Sequence, residues 1–246
     1  LIPLDLASEA GISPPQLSFL ETGRTPPSEG MILRLSAVLA FPARDQGALF
    51  SAAGFRPRFA TTPSASLEAL PAAVVEAIGL ILDRHDPYPG VVFDHEYNVL
   101  TANQAFMSLA GMAGIAVSPG DNFLDAYLGP TPLRSIVVNW PRSAADLVNR
   151  IRAEARLQGP RSPLLKRIER LAAADDVRAA LNDFPATERL PVLPIEMRIG
   201  AKHFSWITTL TSFGSAQDAL VQGVLIESFF PADAQTRAHF EPQVSR

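Results

Sequence analysis

The stretch Leu6-Ala7-Ser8-Glu9-Ala10-Gly11-Ile12-Ser13-Pro14-Pro15-Gln16-Leu17-Ser18-Phe19-Leu20-Glu21 decides how the start of this chain folds. Ala7 stands four positions before Gly11, and Leu17 and Leu20 follow six and nine positions after it. Two helices that cross steeply need a small residue where they touch and a glycine free to take positive φ at the bend. They also need aliphatic residues on the second helix that face back to the core. The spacing therefore predicts helices over 5–10 and 14–21 with a corner at Gly11. One stripe of the second helix, starting at its first turn, is left facing outward.

Reading outward, Thr22-Gly23-Arg24-Thr25-Pro26-Pro27 is a turn, and Ser28 is an N-cap for a helix carrying Ile32, Leu35, Ser36 and Leu39. Pro42 and Ala43 open a fourth helix through Leu49 and Phe50 that stops at Gly54. Residues 55–66 are rich in Pro, Ser and Thr without helical period and read as a linker. The remainder, 67–246, reads as a second domain. A helix is expected over 67–82, then a hairpin of strands 90–94 and 99–103 turning at 95–98, with Asn103 capping a helix over 104–110. Helices follow over 133–157, 163–173 and 175–182, and strands over 193–199, 203–213 and 220–230. The expected fold class is an all-α N-terminal domain followed by an α+β domain, its helices packed on one face of an antiparallel sheet.

Composition narrows the function. With 47% apolar and 19% charged residues over 246 positions the chain is a folded protein, and its formal charge of −4 excludes a polybasic DNA or membrane binder. Cysteine is absent, which removes disulfides, thiol nucleophiles and thiolate metal sites. The most apolar stretch, 71–82, holds Glu76 and falls short of the roughly 20 residues a membrane span needs, so no membrane partner is expected. The chain does not open on Met, and residues upstream of Leu1 are expected to be missing.

The corner at Gly11, with Leu20-Glu21-Thr22-Gly23-Arg24 after it, resembles the helix-turn-helix of the Xre family over residues 4–54, with that family's first helix missing or truncated. The resemblance implies double-stranded DNA as a partner. It places Ser13, Pro14, Pro15, Gln16 and Phe19 at the groove, with Ser18 and Arg24 near phosphate. Gln16 suits a bidentate pair with adenine, Phe19 a thymine methyl and Arg24 a phosphate. Through Gly54 three arginines stand against five carboxylates, a net −2, so one such domain is expected to bind DNA weakly.

In the second domain a strand runs into Asn103 and a helix bearing Phe106, Met107 and Leu109. Ser135-Ile136-Val137-Val138-Asn139-Trp140, then 146–154 and Pro194-Ile195-Glu196-Met197-Arg198-Ile199, follow in order. The arrangement resembles a PAS-like domain, and the whole order resembles the MmyB-like transcription regulators. That resemblance implies a cytoplasmic, bacterial, ligand-responsive regulator that acts as a homodimer and holds a small lipophilic effector such as a fatty acid, with no other cofactor. Phe93, Leu100, Phe106, Met107, Phe123, Tyr127, Trp140, Met197, Trp206 and Phe229 border the predicted sheet and suit an alkyl chain, as they would equally suit a plain core. Arg134, Asn139, Arg142 and Arg198 are the candidates for an acid headgroup. Effector binding is expected to alter the packing of the helix at 67–82 and so the spacing of two recognition helices.

No catalytic residue is assigned. The four histidines make no i, i+4 pair, and no phosphate-binding glycine loop or nucleophile elbow occurs. His85-Asp86 and Asp94-His95-Glu96 fall in predicted turns as solvated polar residues. Asp175-Asp176 begin a helix, and the Arg- and Glu-rich face over 142–170 is solvated surface. Two other functions fit the residues: an enzyme that turns over a lipophilic substrate with His95 or Glu96, and an adaptor whose N-terminal helices bind a protein.

Overall fold

The computed structural model describes residues 3–39, 49–50, 52–55, 66–158, 162–185, 194–213, 221 and 223–241. The fourth N-terminal helix is described only from Leu49, and residues 56–65 of the linker and Leu193 lie outside the described residues. The chain forms two compact units, Leu1–Thr62 with Glu154–Ser162, and Pro63–Ala153 with Pro163–Arg246.

The first unit opens with α1 (Pro3–Glu9), α2 (Pro14–Glu21) and α3 (Glu29–Val38). Ala7, Ala10, Ile12, Leu17 and Met31 are buried together, with Leu6, Leu20, Leu35 and Val38 packed around them. Ala7 is fully buried, as its small size at the helix contact requires. Gly11 takes φ +61. The N–H of Ile12 donates to the Ala7 carbonyl at 3.0 Å and that of Gly11 to the Ser8 carbonyl at 3.2 Å, a glycine-closed helix end that turns the chain toward α2.

The second unit holds α4 (Ala72–His85), β1 (Gly90–Phe93), β2 (Val99–Ala102), α5 (Gln104–Met112), α6 (Phe123–Leu128), α7 (Pro132–Ile136), α8 (Trp140–Leu157) as far as Ala153, α9 (Pro163–Ala172) and α10 (Asp175–Asp183). It ends with β3 (Ile195–Ile199), β4 (Lys202–Ser212), β5 (Leu225–Pro231) and α11 (Ala234–Phe240). The strands make one sheet in the order β2-β1-β5-β4-β3, antiparallel throughout. This is the α+β antiparallel fold that the sequence predicts.

Four features depart from the sequence reading. The helix expected over 67–82 is a single 3-10 turn, Leu67–Ala69, followed by α4, because Pro71 forces Leu70 to extended backbone (ψ 150). The helix expected over 133–157 is two helices. Val137 breaks out to bridge Met197, and the Val138 N–H donates to the Glu196 carbonyl at 2.7 Å, so the sheet edge claims the backbone a helix would need. Helices α6 and α11 were not anticipated; Asn122 and Asp233 cap them through their side chains. Helices also cover both faces of the sheet rather than one. Ile78 and Leu82 of α4 pack with Val92, Leu100, Val224 and Ile226 on one face, while Phe106 of α5 meets Phe229 on the other. Strand alternation from Ile226 carries Leu225, Glu227 and Phe229 to that second face.

Candidate functional site

At the N-terminal corner, Ser13, Pro14, Pro15, Gln16, Ser18, Phe19 and Arg24 are all exposed, so the structure leaves the expected stripe open to solvent. Ser13 Oγ accepts from the Gln16 N–H at 3.3 Å, and Gln16 Oε1 accepts from the Ser13 N–H at 3.4 Å. This reciprocal capping box occupies the amide oxygen that a pair with adenine would use. At the other end Arg24 N–H donates to the Phe19 carbonyl at 2.8 Å and Gly23 N–H to the Leu20 carbonyl at 3.0 Å, with Gly23 at φ +68. The Leu-Glu-Thr-Gly-Arg exit is thus a helix stop that only glycine closes without strain, and it leaves the Arg24 side chain at the end of α2.

In the second unit the sheet face opposite α4 carries an aromatic layer. Ring centroids of Phe93 and Phe123 lie 5.4 Å apart, those of Phe123 and Tyr127 5.3 Å, and those of Phe93 and Tyr97 5.9 Å. A second group joins Phe106 to Phe229 at 6.0 Å, Phe229 to Trp206 at 6.0 Å and Trp206 to Phe240 of α11 at 5.0 Å. Met197 is buried and pairs with Phe204 across β3 and β4, and Trp140 donates from Nε1 to the Tyr127 carbonyl at 2.8 Å. Eight of the ten apolar candidates therefore border this layer. Leu100 does not: it is the extra residue where the β1–β2 register shifts, which turns it into the α4 core. Met107 does not either, being 40% exposed on the outer side of α5.

The headgroup candidates fare differently. Arg134 bonds Asp176 at 2.6 Å and lies 3.6 Å over the Trp140 ring, and Asn139 ties β3 down by donating to the Pro194 carbonyl at 2.7 Å and accepting from the Glu196 N–H at 3.1 Å. Arg142 sits 4.9 Å over the Phe184 ring, and Arg198 is exposed beside Met197. Arg150 of α8, outside the candidate set, also reaches the aromatic layer, its Nη1 donating to the Tyr97 hydroxyl at 3.2 Å. Arg150 also faces Glu227, which is buried in the layer and bonded to Thr208.

Burial pushes the Glu227 carboxyl up, and the Arg150 charge and the Thr208 hydrogen bond pull it back. Burial likewise pushes the Tyr127 phenol up to about 12, against its hydrogen bond with Ser143 (2.7 Å between oxygens) and aided by the nearby Glu227. Trp206 is fully buried and its Nε1 has no hydrogen-bond partner among the described residues, an unsatisfied donor inside the layer. Sequence reading passed over Arg150, Glu227, Tyr97 and Ser143. The only signal for them was a Glu at an inward position of the predicted last strand.

The histidine clusters read differently in three dimensions. Asp94 is fully buried rather than solvated, its carboxylate accepting from the N–H groups of Glu96 (2.8 Å) and Asn98 (2.9 Å) and so holding the β1–β2 turn. His85 Nε2 lies 3.0 Å from the Phe229 carbonyl, and His95 Nε2 stands 3.9 Å from Glu96. No cluster of three metal-ligating side chains occurs among the described residues. No described helix is long and apolar enough to cross a membrane.

The family description "Helix-turn-helix" matches residues 4–45, and "MmyB-like transcription regulator ligand binding domain" matches residues 74–241. No curated protein matches the chain. The two matches together make a DNA-binding unit followed by an effector-binding unit, and neither describes an enzyme. Since the second match spans more than half of the chain, the protein belongs to the MmyB-like transcription regulator family.

Proposed function

We propose that this protein is a cytoplasmic, homodimeric regulator that binds duplex DNA through α2 and releases or grips it according to a fatty-acid-like effector. The effector lies in the aromatic layer on the sheet face opposite α4. The observation that carries the effector half is the fully buried Trp206 indole N–H, without an acceptor among the described residues, in a largely aromatic wall. A buried donor left unmade costs about 1–3 kcal/mol, so an acceptor oxygen brought by a ligand is favoured there. Alkyl carbons gain about 0.8 kcal/mol per CH₂ against such walls. Arg150, with Tyr97 and Glu227 beside it, is the anchor for an acid group, in place of Arg134, Asn139, Arg142 and Arg198, which are spent on other partners or lie outside the layer.

Because α4 packs on the other face, effector binding acts on it through the sheet, by way of Val92 and Ile226, which meet Ile78 and Leu82. A switch requires that the effector prefer one arrangement of the protein over another. Native mass spectrometry of the purified protein reads subunit number and any retained small molecule together. Titration with C12–C18 fatty acids and the matching alcohols then tests the anchor: acids bind more tightly than alcohols, and Arg150→Leu abolishes the difference. A monomer, or equal affinity for acid and alcohol in the unaltered protein, contradicts this reading. DNA affinity that no fatty acid alters contradicts the switch alone.

A further inference from the structure

We propose that α2 selects bases by apolar contact: Pro15 and Phe19 recognise thymine C5-methyl groups in the major groove, and the main-chain donors at the start of the helix take no part. This rests on the DNA-binding reading above and adds what that reading leaves open, the chemistry of base selection.

Leu17 is buried and Leu20 half-buried against the first unit's core, which fixes the inward side of α2. At about 100° per residue, the direction opposite these two is occupied by Pro15 and Phe19, one turn apart, with Ser18 beside them and Gln16 swung to the flank. Phe19 is 43% exposed, a large ring held in water.

The polar alternatives at this end of the helix are spent. Pro14 and Pro15 have no N–H. The N–H of Gln16 ends on Ser13 Oγ at 3.3 Å and that of Leu17 on the Ser13 carbonyl at 3.1 Å. A phosphate or base acceptor therefore finds no free main-chain donor on the first turn. The Gln16 amide can grip adenine only by giving up its bond to the Ser13 N–H. What the outward stripe offers is apolar area plus one hydroxyl, and on the major-groove edge of B-DNA the apolar group is the thymine methyl.

The test uses the whole protein. Duplexes are selected from a randomised pool and then resynthesised with deoxyuridine for thymine, which deletes the methyl and keeps every hydrogen-bonding group. Selected sites are expected to hold thymine at a fixed position in each half-site, and each methyl removed weakens binding about fourfold, the loss of one buried carbon. Phe19→Ala is expected to unfold at the same temperature as the unaltered protein and to lose the deoxyuridine sensitivity at the thymine Phe19 faces while keeping that at the thymine of Pro15, and Phe19→Leu restores part of the lost difference. Binding indifferent to deoxyuridine overturns the proposal and leaves DNA binding standing. Undiminished deoxyuridine sensitivity in Phe19→Ala overturns the assignment to this stripe. Retention of no duplex from the pool overturns the DNA-binding reading and this inference with it.

Discussion

Asn103 shows how much one side chain can organise. Its Oδ1 accepts from the N–H groups of Gly90 (2.9 Å) and Phe106 (3.0 Å), and its Nδ2 donates to the Tyr88 carbonyl (2.8 Å) and to Asp86 (3.0 Å). It thereby caps α5, closes the start of β1 and holds the loop after α4 in one buried position. The sequence marks it as a cap but not as a hub, since a cap is a local signal and the other partners lie up to 21 residues away, at the Leu82 carbonyl. Asn103→Ala is expected to lower the unfolding free energy by about 3 kcal/mol in urea denaturation, a lost cap plus buried groups left unsatisfied. Asn103→Asp keeps the cap but loses both donors, and a loss no smaller than 2 kcal/mol is expected at neutral pH.

At the scale of elements, α4 and β5 carry separable predictions. Pro71 stops α4 from extending back to Leu67, so Pro71→Ala is expected to lengthen the helix by a turn. Hydrogen exchange at Ala72 and Ala73 then slows, with a stability change within about 0.5 kcal/mol. On β5, Glu227 is buried beside Arg150 with its carboxyl held above the ordinary carboxylate range, largely by desolvation. The folded state therefore binds this proton more tightly than the unfolded chain. The stabilisation is complete below the unfolded value, about pH 4.3, and is lost as pH rises through the higher folded value. Glu227→Gln is expected to remove that loss, so thermal unfolding of the variant gains on the unaltered protein as pH is raised from 4 to 8. A difference between the two that grows in the opposite direction contradicts the sign of the shift.

For the whole molecule, charge sets the terms of DNA binding. The net −2 through Gly54 leaves few cations to displace counterions. The logarithm of DNA affinity is therefore expected to fall against the logarithm of salt concentration with a slope no steeper than about −3 for each domain. In the proposed homodimer, affinity comes from two such domains on paired half-sites about 34 Å apart, and not from the phosphate contacts of one. A steep slope, near −8, measured by fluorescence anisotropy across 50–200 mM salt, contradicts that account. An adaptor that used the same helices against an apolar protein surface would give little salt dependence and no duplex selectivity.

The sequence alone determined whatever is written locally. The corner at Gly11, the stop at Gly23 and the caps Ser28 and Asn103 are short-range demands of backbone geometry, so residue type and spacing suffice to find them. The β1–β2 hairpin and the period-2 pattern of β3 were legible for the same reason. Tertiary structure decided everything that depends on distant partners: the break at Val137, where the edge of β3 outbids the helix, and the turn of Leu100 into the α4 core at a register shift. It also decided the aromatic layer's polar members. Arg150 and Glu227 are 77 positions apart and meet only because α8 and β5 share one face of the sheet, while the arginines nearest the aromatic residues in sequence are taken by Asp176 and Phe184. Short-range sterics can be read from a string of residues, but burial and charge pairing are properties of the assembled fold.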